Sequence, residues 1–219
     1  MLDDLVQDRL PAIDASRRAL YASTAVLGGA LFVTAIDPAD RLTWSLEVLP
    51  VVGVAAALWV TRDRFPLTPV LHAAIAAALL LLCVGAYYTF ERVPLGEWLQ
   101  QVFGLARNPY DRIGHVLQGL VPALAARELF VRTTALAGSA WLGPLAFVLS
   151  FAVSAAYELF EWGVALAQGP RASEFLGMQG DPWDAHWDML CALGGAAAAL
   201  LLLSRAHDRA LVRLEPAAR

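Results

Sequence analysis

Apolar residues run along this chain in six long blocks, about Ala19–Ile36, Thr43–Thr61, Leu67–Phe90, Ile113–Val131, Trp141–Leu166 and Trp187–Ser204, with short polar breaks between them. A helix needs roughly 20 mostly apolar residues to cross the hydrocarbon core of a bilayer. Each block is therefore predicted to be a transmembrane helix. Connections are short except at Glu91–Arg112 and Ala167–His186, and no low-complexity linker divides the chain. The pattern predicts an all-α polytopic membrane protein, one bundle of about six transmembrane helices. An N-terminal segment (1–18) precedes the membrane domain (19–204), and a tail (205–219) follows it.

Composition agrees: 58% of the 219 residues are hydrophobic and 16% charged, where soluble domains carry about 25% charged residues. All sixteen basic residues are arginine. Arg9, Arg17, Arg18, Arg62, Arg64, Arg127, Arg132, Arg205, Arg209, Arg213 and Arg219 fall on one side of the six blocks, against Arg41, Arg92, Arg107, Arg112 and Arg171 on the other. Cytoplasmic segments hold the arginine excess, so both termini are expected in the cytoplasm and both long loops outside. No basic patch points to nucleic acid. The partner implied by composition is a lipid bilayer. The N-terminus lacks the short apolar core and cleavage site of a secretory signal, so the first helix is expected to act as insertion signal. Cys83 and Cys191 both fall inside apolar blocks, where thiols behave as small hydrophobes.

Two short segments share one grammar. Asn108-Pro109-Tyr110-Asp111 with His115, and Asp181-Pro182-Trp183-Asp184 with Asp188, each open an apolar block. A small polar residue, a proline, an aromatic and an aspartate read as N-cap, N1, N2 and N3 of a helix, since the cap oxygen accepts from orphan N–H groups and proline lacks one. Asp111 and Asp184 would then face the positive end of a helix dipole. His115 and Asp188 lie one turn deeper, where a charged side chain is costly and marks a site by default.

Other polar residues converge on the same end. Ser150, Ser154, Glu158 and Glu161 form one helical stripe, and Glu47 and Tyr87 fall at the same depth, with Gln118, Tyr157 and Gln179 close by. Glu158 and Glu161 share a helix face and repel. A metal cation, a shared proton or an arginine such as Arg112 would offset that repulsion. The opposite half is expected to be nearly apolar beyond His72 and Glu128, the latter pairing with Arg132 four residues on.

The motifs NPYDRIGHVLQG, YELFEW and QGDPWDAHWDM, together with VGAYYTFERVPL, resemble the YjdF family of bacterial inner-membrane proteins, a domain of unknown function, from about Asp37 to Ser204. More remotely, the D-x-x-x-H opening and the acidic start of the Gly/Ala-rich last block are similar to the VanZ-like family. The resemblance implies a multi-span inner-membrane protein and no established reaction.

Chemistry therefore rests on the residues. His115, Glu158, Glu161 and Asp188 are the candidate catalytic groups, with the imidazole as general base and a glutamate as general acid. His115, Glu158, Glu161, Asp184 and Asp188 are candidate ligands for a divalent cation such as Mg²⁺, Mn²⁺ or Zn²⁺, and Glu47, Asp111, Gln118, Tyr157 and Gln179 are supporting residues. Three functions stay open: a hydrolase or transferase acting on an amphiphilic or lipid-linked substrate, a non-catalytic assembly or binding protein, and a cation-coupled carrier. A carrier would need a continuous polar path across the bundle.

Overall fold

The structure, a computed structural model, describes residues 2–168 and 178–214, with the backbone path alone for 2–9 and 168. Arg171 and Arg219, used in the arginine count, lie outside the described residues, and of Arg9 only the backbone is described. Helices are α1 (Leu2–Thr34), α2 (Arg41–Thr61), α3 (Pro69–Tyr88), α4 (Pro94–Phe103), α5 (Tyr110–Thr133), α6 (Leu142–Gln168), α7 (Asp184–Ala198) and α8 (Ser204–Leu214). A π-helical turn, Ala199–Leu203, joins α7 to α8, so the last two form one continuous rod. Among the described residues there is no strand.

Helix starts follow their caps. Asp40 accepts from the Thr43 N–H at 2.7 Å, which holds its carboxyl below the usual range, and Thr68 accepts from the Leu71 N–H at 3.2 Å with Pro69 as the first helical residue. α2, α3, α6 and the α7–α8 rod are long and apolar enough to cross a membrane. α1 and α5 are also long, at 33 and 24 residues, but carry more charge. For α5 the reason is position: it packs against α3, α6 and α7. Its charged groups meet protein rather than lipid.

Two sets of helices meet at one seam. α3 gathers α1 and α2, α5 gathers α6 and α7, and α3 packs on α5. α2 and α6 form no packed interface with each other, which leaves a cleft between the sets. The ends of α1, α2 and α3 are tied by Trp44 Nε1 to Thr34 Oγ1 at 3.2 Å and Ala39 N–H to the Tyr87 carbonyl at 2.9 Å. Through the middle runs an apolar core that includes Leu71, Ile75, Leu79, Leu124 and Ala196.

The sequence expectations need three corrections. α5 and α7 begin at Tyr110 and Asp184, one and two residues later than the cap reading, because Asn108 and Asp181 each bond the N–H two residues on, at 3.0 and 2.9 Å, in a turn that precedes the helix. The long loop before α5 contains α4, whose Leu95, Trp98 and Val102 are exposed along one face. The far end of the bundle is not nearly apolar. There Glu128 pairs with Arg132 at 3.1 Å as expected, but it also accepts from Thr68 Oγ1 at 2.9 Å and lies 3.1 Å from His207 Nε2. His207 arrives from α8, beyond the last apolar block.

α5 and α7 approach most closely. A Cβ placed on Gly119 would overlap the Ala192 carbonyl oxygen, and one on Gly195 would overlap that of Val116. Small residues let membrane helices touch backbone to backbone, and here the contact is reciprocal. Ser150 of α6 adds a bond to the Gly119 carbonyl at 2.6 Å. Gly119→Ala or Gly195→Ala is expected to destabilise the protein by about 1–3 kcal/mol through forced separation of the helices. Gly194→Ala, which meets open space, should leave thermal unfolding in detergent unchanged; equal effects at Gly194 and Gly195 would contradict this packing.

Candidate functional site

The turns before α5 and α7 are built as a pair. Gln179 accepts from the Asn108 N–H at 2.9 Å and donates to the Asn108 carbonyl at 3.1 Å, so a side-chain amide clamps one loop to the other. Asn108 Nδ2 also donates to the Glu91 and Val93 carbonyls at 3.0 and 3.1 Å. Tyr110 reaches across to α3, donating to the Leu81 carbonyl at 3.0 Å. Both helix starts are thereby fixed side by side, with their acidic residues facing inward.

Arg107 sits between them. Its guanidinium is ion-paired with Asp184 and stands 3.6 Å from Asp111 Oδ2. Only 8% of Arg107 is exposed, so the pair is desolvated and depends on its geometry. One turn further in, His115 Nε2 faces Asp111 Oδ1 at 3.6 Å, while Nδ1 lies 2.7 Å from Gln118 Oε1 and 3.6 Å from Glu158 Oε1. Donors and acceptors are assigned by the neighbours. The Gln118 oxygen can only accept, so Nδ1 carries a proton.

Asp188, on the next turn of α7, completes the group. One oxygen each from Asp111 and Asp188 and one nitrogen of His115 lie within 4.8 Å of one another. Asp188 is 3% exposed, yet among the described residues its Oδ1 has no hydrogen-bond partner, and neither has Glu158 Oε1. Buried polar atoms are normally bonded, so these two stand ready for a group from outside the protein.

Beside the cluster opens a cavity of about 260 Å³ between α2, α3, α5 and α6. Val54, Leu79, Leu82, Val121 and Val153 wall its apolar part; Glu47, Asp111, His115, Gln118, Tyr157 and Glu161 line its polar part. Tyr157 donates to Glu47 Oε2 at 3.5 Å, the link from α6 to α2 across the cleft.

The structure thus brings together His115, Asp111, Gln118, Glu158, Asp184 and Asp188, with Glu47, Tyr157 and Glu161 on the adjoining wall. Gln179 serves the loop clamp, and Arg112 pairs with Asp181 at 3.0 Å beside the Trp187 ring rather than reaching Glu158 or Glu161. Asp111 and Asp184 are more than dipole partners, since both hold Arg107. That arginine was counted only as loop charge in the sequence. Its position four residues before Asp111 is the signal that marks it, because such a spacing can place two groups on one face.

Comparison with known proteins follows the same lines. Residues 19–209 match the family described as "Predicted membrane protein (DUF2238)". The "Inner membrane protein YjdF" of Escherichia coli (strain K12) is 46% identical over 194 residues, covering 89% of this chain and 93% of that protein. No solved structure matches. These matches carry the first resemblance noted in the motifs and not the VanZ-like one. With four helices fit to cross a bilayer, the chain is a multi-pass inner-membrane protein and belongs to the DUF2238 family of predicted membrane proteins.

Proposed function

We propose that this protein is an intramembrane hydrolase or transferase acting on an amphiphilic or lipid-linked substrate, with the substrate's apolar chain in the cavity and its head group at His115. One observation carries the reading: a single cavity has apolar walls on one side and His115, Asp111 and Glu161 on the other, with unbonded oxygens of Glu158 and Asp188 in the adjacent cluster. An amphiphile has that same division of polarity. The cleft between α2 and α6 gives its chain a path in from the bilayer.

In this mechanism the neutral imidazole of His115, with its Nδ1 proton held by Gln118, takes a proton at Nε2 from the attacking water or hydroxyl. Glu158 or Glu161, as a carboxylic acid, returns one to the leaving oxygen. A polar path for a carrier would have to cross Ile75, Leu79, Leu124 and Ala196, and this apolar layer argues against it. Unbonded buried oxygens argue against a cluster that only locks helices together.

α1 and α5 complete six crossings in this reading. Arginine excess puts both termini in the cytoplasm and the cluster on the outer face. Green fluorescent protein fused after Arg219 should therefore fluoresce, and alkaline phosphatase fused at Leu105 should be active; the reverse pattern would turn the bundle over.

Turnover is read by incubating the detergent-purified protein with membrane lipid extract and following head-group release by mass spectrometry. His115→Gln should lower release about 10²–10⁴-fold, the usual share of a general base. Val153→Trp, which fills the apolar part of the cavity, should lower it while leaving thermal unfolding intact. Release at the wild-type rate in both variants would contradict the assignment.

A further inference from the structure

We propose that Asp111, His115 and Asp188 bind one divalent cation, whose open coordination positions face the cavity. The proposal rests on the function above only for what the metal would act on, and it changes one role there: a cation on Nε2 occupies the lone pair, so with the metal bound His115 is a ligand and the carboxylate of Glu158 or Glu161 takes the proton and returns it to the leaving oxygen.

The argument starts from the imidazole. With its proton on Nδ1 toward Gln118 Oε1 at 2.7 Å, His115 points the lone pair of Nε2 at Asp111 Oδ1, 3.6 Å away. A lone pair facing an anionic oxygen is repulsive unless a positive centre, either a proton on Nε2 or a metal ion, lies between them. Hydrogen bonds of this kind span about 2.7–3.2 Å, so the gap is too wide for a shared proton. Two ligands bound at about 2.1 Å in tetrahedral array stand about 3.4 Å apart, which the observed spacing nearly meets.

The second observation is independent. Asp188 comes from a different helix, is 3% exposed, and presents Oδ1 with no hydrogen-bond partner among the described residues. That atom's residue belongs to the three-residue set within 4.8 Å. Arg107 pairs with Asp184 and lies near Asp111 Oδ2, so it leaves Asp111 Oδ1 directed at the imidazole.

Ligand chemistry narrows the ion. Two carboxylates and one imidazole suit Mn²⁺, Mg²⁺ or Zn²⁺ rather than a soft ion. Three protein ligands leave positions for water and substrate, the arrangement of catalytic rather than structural sites. Gln118 then acts as the outer partner that fixes the ring tautomer, a role common to metal-bound histidines.

Mn²⁺ titration of the full-length protein in detergent, followed by loss of the free-ion paramagnetic resonance signal, tests the site directly. Wild type and Asp63→Asn, an exposed change at the far end, should bind one ion per chain with equal affinity. Gln118→Ala should weaken binding about 10–100-fold, and Asp188→Asn and His115→Gln should abolish it. Thermal unfolding guards against misfolded variants: Mn²⁺ should raise the midpoint of wild type and leave that of folded Asp188→Asn unchanged. No binding by wild type, or binding equal in Asp188→Asn, overturns the proposal. Lipid copurifying with the protein is measured in parallel with chelator present. Lipid without metal would sink the cation site alone, and metal without lipid would sink the amphiphile reading alone.

Discussion

Backbone contact between α5 and α7 is the constraint on which the rest of this molecule depends. Lipid tails are as apolar as helix side chains, so helices in a bilayer gain little from burial and must be held by close packing and polar bonds. Gly119 and Gly195 supply the packing, each facing a carbonyl of the other helix. Because the two contacts lie about two to three turns below the helix starts, they fix the depth at which Asp188 meets Asp111 and His115. A side chain at either glycine would move the two halves of the cluster apart.

That placement creates an excess of negative charge that the protein answers only in part. Asp111 and Asp184 share Arg107, and Asp181 takes Arg112 at the rim. Among the described residues Tyr157 bonds Glu47, His115 stands beside Glu158 and Asp188, and Glu161 lines the cavity wall. At the other end of the bundle both oxygens of Glu128 are met: Thr68 and Arg132 bond it, with His207 beside it, although His72 Nδ1 and His207 Nδ1 there have no partner among the described residues. One end is closed by its own side chains and the other is open to a cavity. This contrast, more than the number of acidic residues, separates a structural knot from a binding site.

Much of this was legible in the sequence, for reasons that differ by element. Four of the apolar blocks became helices long and apolar enough to cross a bilayer, because length and hydropathy alone decide whether a segment can do so. His115, Glu158 and Asp188 stood out because ionisable groups are costly there. α4 did not, since its ten residues fall short of any span and its exposed apolar face resembles an ordinary loop. The two helix starts were misplaced because Asx turns and N-caps draw on the same residues. Arg107 and His207 were hidden by sorting arginines into loops and ending the bundle at the last apolar block. Gly195 lay in a conspicuous small-residue run, whereas Gly119 is isolated and shows its role only against its partner.

The account joins an apolar cavity to a polar cluster as one binding site, and an experimental structure in lipid nanodiscs tests that join most directly. The expected result is elongated, lipid-like density between α2 and α6 with its polar end within hydrogen-bonding reach of His115. A cavity closed by contact of α2 with α6, or density confined to the outer surface of the bundle, would contradict it.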